Sequence, residues 1–443
     1  MPDRDKFWEP YEPDETMPWN LRRVVHLHRR AGFAATWREI QRDLKDGPST
    51  SVQRLIEGKS SVSAPVNFAA TAELLADAGV AANDLDRLKA SWVFRMLFGP
   101  DPLGEKLALL WHDHFATSNA KVQDVEAMRN QNDLFRKLGR GQFADLLNAV
   151  VRDPALMIYL DAPANREGHA NENLARELME LFTLGIGHYS EADVKEAARA
   201  LTGWTVNNRA FRNNTGVHDD GYKTILGLKG KSTGDDLVKL LLDQPATSER
   251  VAFKLTRLFF GESGVPTEAR GSLANGLREN KLDIGWAVGT VLRSRAFFAD
   301  SNIRTKIIGP VDFVVGTARA LELFDSTPSS LALADWCGRL GQDLFNPPNV
   351  GGWPAGRAWM SAQTIVGRAN YVAGLLDGTN VGRISPFDAV ALARHYRFNS
   401  LATFYSSLLF GTDPPASVRD HLAKAKGPKM VALLLALPEA QLG

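Results

Sequence analysis

The spacing of apolar residues along the chain predicts a helical protein. From Asn20 to about Arg199, apolar residues recur at intervals of three and four, and the breaks between them carry Gly, Pro, Asp or Ser. The same pattern returns over about 233–299, 303–323 and 359–376. We therefore predict a mainly α fold, a large multi-helix bundle-like domain.

Three of the early helices can be given boundaries from the sequence. One is predicted over 67–78, because Gly79 is a natural stop. Its broad apolar face would consist of Phe68, Ala69, Leu74, Leu75 and Ala78. Two more are predicted over 84–98 and 103–115, and the short Gly-Pro-Asp-Pro link between them favours antiparallel packing.

The pattern changes between Gly203 and Gly230. Trp204-Thr205-Val206 and the stretch 222–226 are typical of strands, and an Asn/Arg-rich centre separates them. We predict a small β-hairpin or an extended loop inserted here. A second irregular feature, the proline- and glycine-rich stretch 347–354, predicts a rigid loop.

The chain shows no repeat of fixed period and no low-complexity segment, which argues against a solenoid. We predict an irregular N-terminal segment over 1–18 and one large helical domain over 19–443. A subdivision near residue 230 stays open, although no flexible linker marks it.

Composition and charge narrow the classes of partner. Of 443 residues, 52 are Lys or Arg and 51 are Asp or Glu, so no overall positive field exists to attract nucleic acid. We predict no nucleic-acid partner, and any partner must be recognised at a local site.

The first thirty residues contain no apolar run of the length that a secretory signal or a membrane helix requires. We therefore predict no membrane span and a cytoplasmic location by default, while the periplasm or export stays open. Cys337 is the single cysteine, which excludes an internal disulfide and a multi-cysteine metal site.

Four stretches of sequence resemble one bacterial family. They are His26–Phe33; Leu110–Thr117; Asn171–Gly185 with Tyr189, Asp193-Val194 and Ala200–Trp204; and His218–Gly221 with Lys223-Thr224 and the Pro-Pro-Asn-Val-Gly-Gly-Trp loop at 347–353. On these motifs the chain resembles, over nearly its whole length, the uncharacterised family called domain of unknown function 1800. The resemblance implies a bacterial protein and carries over no activity. Members are often exported, and this chain departs from them in lacking a recognisable signal.

The third stretch concentrates polar side chains on one face of a predicted helix. At 100° per residue, Leu174, Ala175, Leu178, Leu181 and Phe182 share one side, and Glu172, Asn173, Arg176, Glu177 and Glu180 share the other. Arg176 lies four residues from both Glu172 and Glu180, so it can bridge them. Such an array could hold a cation or raise the pKa of one carboxyl for acid–base work. An ordinary salt-bridged outer face, or a buried structural network, explains the same pattern.

His112 and His114 lie near the end of a predicted helix. If the helix continues through them, they lie about 200° apart and cannot share a metal. If the chain extends after Trp111, both could join one divalent-cation site with help from Glu177, Glu180 or His218, and Glu180 is the carboxylate we name as a ligand. The alternative is a hydrogen-bonded core histidine, and His114 is the better candidate of the two for chemistry.

Other candidate residues would bind substrate. His218 and Lys223 lie in the loop-rich insertion, where a plain turn and a solvated strand residue are the alternatives. Trp204 and Trp353, with Trp359, could stack on a sugar or another flat ligand if exposed, or pin loops to the core if buried. Asn349 lies in the loop beside Trp353.

The sequence carries no nucleotide or haem motif. One Gly-x-Ser-x-Gly occurs around Ser232, but the central strand that a nucleophile elbow needs is missing, so the start of a helix is the better interpretation.

We therefore predict one polar pocket built by the 171–180 helix, His114 and the His218 loop, and rimmed by 347–353. In that hypothesis the protein is a hydrolase- or lyase-type enzyme, with Glu177 and Glu180 in acid–base roles, Arg176 orienting them, and His114 as base or ligand of an optional cation. The ligand of the pocket would be an unknown small molecule or a glycan. The alternative is a non-catalytic binding or assembly protein, whose motifs are structural and which binds a glycan or a protein partner.

Overall fold

The computed structural model describes residues 6–59, 67–262, 264–324, 327–382, 385–414 and 418–443. Residues 1–5 of the predicted irregular N-terminal segment lie outside this described part.

The helices of the first half run from α1 to α12. They are α1 (Leu21–Ala31), α2 (Trp37–Asp46), α3 (Pro48–Ile56), α4 (Phe68–Ala81), α5 (Leu85–Phe98), α6 (Pro102–His114), α7 (Asn119–Val122), α8 (Val125–Leu138), α9 (Phe143–Val150), α10 (Pro154–Tyr159), α11 (Asn173–Glu177) and α12 (Glu191–Ala200). A π-helical segment, Leu178–Thr183, directly follows α11.

The helices of the second half run from α13 to α24. They are α13 (Gly234–Leu242), α14 (Pro245–Phe260), α15 (Thr267–Glu279), α16 (Ile284–Arg293), α17 (Arg295–Phe298), α18 (Pro310–Ala320), α19 (Ser330–Arg339), α20 (Ala362–Asp377), α21 (Ala389–His395), α22 (Leu401–Phe410), α23 (Arg419–Lys424) and α24 (Pro428–Ala436). The predicted mainly α fold is confirmed. None of the helices in the described ranges combines the length and apolar character needed to cross a membrane.

Helix α4 packs through small side chains, which corrects its predicted apolar face. Ala72, Ala76 and Gly79 are buried, whereas Leu74 is 68% exposed. A Cβ on Gly79 would lie 3.0 Å from the backbone N of Leu88, so glycine allows α4 and α5 to approach closely. Gly79 therefore serves packing inside the helix, and α4 continues past the predicted stop.

The 203–230 region contains two antiparallel hairpins. Strand β1 (Trp204–Asn207) pairs with β2 (Ala210–Asn213), and β3 (Lys223–Ile225) pairs with β4 (Leu228–Gly230). Both central residues of each two-residue turn have positive φ, which matches the right-handed twist of hairpin strands. After the second hairpin Thr233 caps α13, with its side chain accepting from the backbone N–H of Asp236. The Ser232 segment is thus a helix start.

The predicted helix over 303–323 is shorter than its apolar pattern suggests. Helix α18 begins only at Pro310, where the fixed φ and missing N–H of proline suit a first turn. The preceding residues 303–309 are irregular and contribute to the wall of a pocket described below. Most of the buried apolar side chains in the described part of the chain form one cluster that extends from Tyr11 to Ala440. The division of the chain into domains stays a prediction.

Candidate functional site: a cationic pocket between α6, α14 and the 351–359 loop

The third motif changes its winding part-way along. Helix α11 ends at Glu177, and in the π-helical segment the N–H of Leu184 donates to the carbonyl of Met179 at 2.8 Å. The carbonyls of Leu181 and Phe182, near the end of the helical run, accept from side chains instead. Arg250 Nε donates to Leu181 O at 3.0 Å, and His114 Nε2 donates to Phe182 O at 3.1 Å. The π segment is thereby fastened to α14 and α6.

His114 is a structural residue in this arrangement. Its donation to a carbonyl places the proton on Nε2, and the ring is 2% exposed among Trp111, Phe115 and Phe143. Burial, with a further contribution from Lys254, holds its pKa well below the ordinary value. A sealed, neutral imidazole lends no support to the predicted role as a base in an open pocket.

His112 lies in a separate aromatic environment, against Trp92, Phe345 and Trp353. Helix α6 continues through His114, so the two histidines point in different directions. Burial lowers the pKa of His112 to about 3. Within the described residues, no group of three or more His, Cys, Asp or Glu side chains could hold a metal ion. The predicted cation site at His112, His114 and Glu180 is therefore not formed.

The acidic face of the third motif is partly as predicted. Burial and then the charge of Glu180 raise the pKa of Glu177, so these two carboxyls are electrostatic neighbours. Arg176, however, binds Glu172 at 2.9 Å and Glu191 at 2.8 Å, and Glu180 instead accepts from the Tyr189 hydroxyl at 2.6 Å. The wider π winding begins between Arg176 and Glu180, which removes the regular i,i+4 relationship that the predicted bridge required.

Asn173 lies on the exposed side of α11. Its side-chain amide donates to Asp161 Oδ2 at 3.1 Å, and the same carboxylate oxygen accepts from Lys121 at 2.8 Å. Asn173 is thus part of a surface network.

The His218 loop is held against the end of α12. His218 Nδ1 lies 2.9 Å from the carbonyl of Thr202, and Asp219 pairs with Arg199 at 2.7 Å. Lys223 is 1% exposed and donates to the backbone carbonyls of Asp219 and Gly221, so it organises the loop from inside. His218 and Lys223 therefore have structural contacts that explain them without a substrate.

Two tryptophans proposed as stacking platforms are buried in different places. Trp204 is 3% exposed and packs on Phe211. Trp353 is 7% exposed, and its backbone N–H donates to Asp113 Oδ1 at 2.8 Å. Asn349 is exposed and accepts from the backbone N–H of Gly351 at 2.8 Å, an interaction that shapes the loop. The ring of Trp204 offers no open stacking face, whereas Trp353 lines a pocket.

That pocket has a volume of about 610 Å³ and lies between α6, α14, the 305–312 segment and the 351–359 loop. Its cationic lining residues are Lys106, Lys254, Arg257, Lys306 and Arg357. Its acidic lining residues are Asp113, Glu262 and Asp312. Trp353 and Trp359 add two aromatic side chains to the wall. The pocket therefore combines an excess of positive charge with flat apolar surface.

Each carboxylate of the pocket already has a cation. Lys106 pairs with Asp312, Lys254 lies 3.7 Å from Asp113, and Arg257 lies 3.1 Å from Glu262. Burial lowers the pKa of both Lys106 and Lys254 and raises the pKa of Asp113. These shifts indicate that the charges of Lys106, Lys254 and Asp113 are poorly solvated.

Sequence reasoning missed these residues, although a signal was present. Lys106 and Asp113 are seven residues apart on α6, and Lys254 and Arg257 share a face of α14 with Arg250. Charged residues recurring on one face of otherwise apolar helices were the available pattern. The histidines on either side of Asp113 are the more conspicuous signal in the sequence.

A family model described as Protein of unknown function (DUF1800) matches residues 26–442. The chain belongs to this family. No curated protein and no solved structure matches it. The predicted resemblance is thus confirmed, and it covers nearly the whole chain.

Three of the DUF1800-like stretches meet at or beside the pocket. Asp113 of the second stretch binds Trp353 of the fourth, and the ammonium group of Lys106 lies 4.4 Å from the ring centre of Phe33, which ends the first. The third stretch is joined to α6 and α14 through Phe182 and Leu181. The meeting place of these segments is therefore the pocket and the helices behind it.

Proposed function

We propose that this DUF1800 chain binds a small anionic molecule, such as an organic phosphate or carboxylate, in the pocket between α6 and α14. One observation carries the proposal: five cationic side chains line the pocket against three carboxylates. Each carboxylate pairs with one cation. Arg357 and the protonated form of Lys306 are left without a carboxylate partner among the described residues. The unmatched charge favours an anion as the ligand.

The physical setting strengthens such an interaction. Lys254 is 13% and Lys106 2% exposed, so water screens their charges poorly. The guanidinium of Arg257 can present two parallel N–H groups to a phosphate or carboxylate. The charge of a bound anion would also counteract the effect of burial, which lowers the pKa of Lys254.

The aromatic wall favours a ligand with a flat or apolar part. Trp353 and Trp359 are 7% and 6% exposed and line the same pocket. A volume of about 610 Å³ lies within the range usual for small-molecule sites. We therefore take an aryl phosphate as a suitable first probe.

The hydrolase- or lyase-type hypothesis built on Glu177, Glu180 and His114 receives less support. None of these three residues lines the pocket, and His114 is sealed by aromatic rings. The glycan-binding alternative needs Trp204, Trp353 and Trp359 exposed together, and Trp204 is buried away from the pocket that the other two line. Anion binding is thus the function that the geometry supports best.

The test is a calorimetric titration of the protein with phenyl phosphate and, separately, with phenol. We expect binding of phenyl phosphate that weakens with added salt, and little binding of phenol. Arg257→Gln should weaken binding roughly tenfold or more, because a charge-assisted hydrogen bond contributes about 1.5–3 kcal/mol.

The matched control is Arg339→Gln, since Arg339 is exposed on α19 and pairs with Asp335 at 2.7 Å outside the pocket. It should bind phenyl phosphate as the wild type does. Equal affinity for phenol and phenyl phosphate, or equal losses in the two arginine variants, would contradict the proposal.

A further inference from the structure

Lys306 differs from the other lysines of the pocket. It lies in the irregular segment before α18, and its Nζ donates to the carbonyl of Leu258 at 2.8 Å. Lys106 and Lys254 are each paired with a carboxylate, whereas Lys306 forms no ion pair among the described residues. A neutral amine keeps the N–H donation to Leu258 O and retains a free lone pair.

The surroundings favour that neutral amine. Burial lowers the pKa of Lys306 to about 7, and the positive charges of Lys106, Arg30 and Arg257 act in the same direction against the opposing effect of Asp312. An ordinary lysine, with a pKa of about 10.4, is almost entirely protonated at neutral pH. The neutral amine of Lys306 is therefore suited to act as a nucleophile on the pocket wall.

We propose that Lys306 captures the carbonyl group of an anionic aldehyde or ketone as a Schiff base in this pocket. The inference rests on the proposed function, because the paired cations hold the anionic group while Lys306 meets the carbonyl carbon. The substrate class is accordingly an oxo compound that carries a phosphate or carboxylate.

The chemistry balances without an added oxidant or reductant. The lone pair of Nζ attacks the carbonyl carbon, the C=O π bond breaks, and a carbinolamine forms. A C=N bond then replaces the C–O bond, and the oxygen leaves as water with the two protons that nitrogen gives up. Asp113, whose pKa is raised by burial, is the pocket carboxyl best able to lend a proton to the departing hydroxyl.

The test uses pyridoxal 5′-phosphate purely as a chemical probe, since it joins an aldehyde, a phosphate and a flat ring. Wild-type protein is incubated at neutral pH with an equimolar amount, reduced with borohydride, digested and mapped by mass spectrometry. We expect modification of Lys306 at least about tenfold faster than of exposed Lys239, because burial gives Lys306 a large neutral fraction. Pyridoxal, which lacks the phosphate, should react much more slowly at Lys306.

Two further measurements on the wild-type protein keep the test valid even if a Lys306 variant fails to fold. In wild-type protein the labelling of Lys306 should rise with a midpoint near pH 7, and phenyl phosphate should protect it. Lys306→Arg, which places a cation but no nucleophilic amine at this position, should lose the label at this site yet still bind phenyl phosphate. Lys239→Arg is the matched control and should leave labelling of Lys306 unchanged.

The outcomes separate the two proposals. If phenyl phosphate binds but Lys306 is labelled no faster than Lys239, the Schiff-base inference is overturned and anion binding stands. If phenyl phosphate neither binds nor protects, anion binding fails, and the inference that depends on it fails as well.

Discussion

Trp353 donates its backbone N–H to Oδ1 of Asp113 at 2.8 Å, and this hydrogen bond joins the 347–354 loop to the end of α6. Oδ2 of the same carboxylate faces Lys254 at 3.7 Å. Asp113 thus joins the loop to α6, and it also forms the ion pair with Lys254 on the pocket wall. Its position between two conspicuous histidines gave no hint of this role.

The close approach of the loop to α6 requires glycine at position 352. Gly352 has φ +90°, and an added Cβ would lie 2.3 Å from Asp113 Oδ1. We expect Gly352→Ala to lower the free energy of unfolding by about 1–3 kcal/mol and to weaken phenyl phosphate binding, because the loop must move. Thermal unfolding and titration check both effects.

Gly185→Ala is the matched control for this change. Gly185 has a similar φ of +85°, but nothing lies within 4 Å of its added Cβ. It should show the cost of backbone strain without the effect on binding. Equal binding losses in the two variants would show that the contact with Asp113 is unimportant.

Neutralising Asp113 should make the pocket more attractive to anions. Asparagine can still accept from Trp353 N through its side-chain oxygen, so Asp113→Asn preserves the loop contact while releasing Lys254 from its carboxylate. We expect phenyl phosphate to bind several-fold more tightly, corresponding to about 1 kcal/mol for one partly screened charge pair. The measurement is a titration at pH 6.

Asp335→Asn, which breaks the exposed pair with Arg339, is the control and should leave affinity unchanged. Weaker binding in Asp113→Asn with an intact fold would mean that the carboxylate itself contacts the ligand.

Much of the architecture followed from the hydrophobic pattern, because amphipathic spacing directly reports which residues a helix buries. Helices α5 and α6 were predicted within about one residue of their bounds, since Asp84 and Asp101 cap their starts. The α4 face was wrong because close contact with α5 selects Ala72, Ala76 and Gly79 over larger side chains. The spacing of apolar residues reports hydrophobicity, whereas close packing between two helices depends on the size of the side chains.

The candidate site was harder to predict because it depends on long-range contacts. Nothing local indicates that Asp113 meets Trp353, or that Lys106 meets Asp312 across more than two hundred residues. A helical wheel drawn at 100° per residue also fails in the π-helical segment. The wider winding there changes the angular spacing between Arg176 and Glu180. Charged residues at helical spacing were visible, but their common pocket was not.

Burial of His112 should make the fold sensitive to acid. Its pKa is lowered to about 3 in the folded chain, against about 6.5 for an unperturbed histidine. Between those values the unfolded state binds a proton that the folded state does not, so stability falls as the pH drops from 6.5 towards 3. Phenylalanine fits the surrounding aromatic cage and cannot be protonated.

We therefore expect His112→Phe to reduce the loss of unfolding free energy between pH 7 and pH 4 by on the order of 2 kcal/mol. Urea denaturation at the two pH values measures it. His169→Gln, at an exposed position, should leave the loss unchanged. An acid sensitivity equal to that of the wild type in His112→Phe would show that other groups control it.

Asp153 should have the opposite dependence on pH. It caps α10, accepting from Leu156 N at 2.9 Å and from Gln131 Nε2 at 2.7 Å, and burial raises its pKa to about 7. Between its ordinary value near 3.8 and pH 7 the folded state holds the proton more tightly than the unfolded state does. Stability contributed by this group is therefore present at low pH and is lost as the pH rises through that window.

Asp153→Asn removes the ionisation while keeping an acceptor for the cap. We expect the variant to gain unfolding free energy relative to the wild type as the pH rises from 4 to 8, by on the order of 1–2 kcal/mol, because asparagine is never charged. Urea denaturation at pH 4 and pH 8 supplies the comparison, and each protein serves as its own reference. A difference between the two proteins that stays constant across this range would mean that Asp153 does not titrate there, and that its buried carboxylate is held charged by Gln131 and the helix terminus.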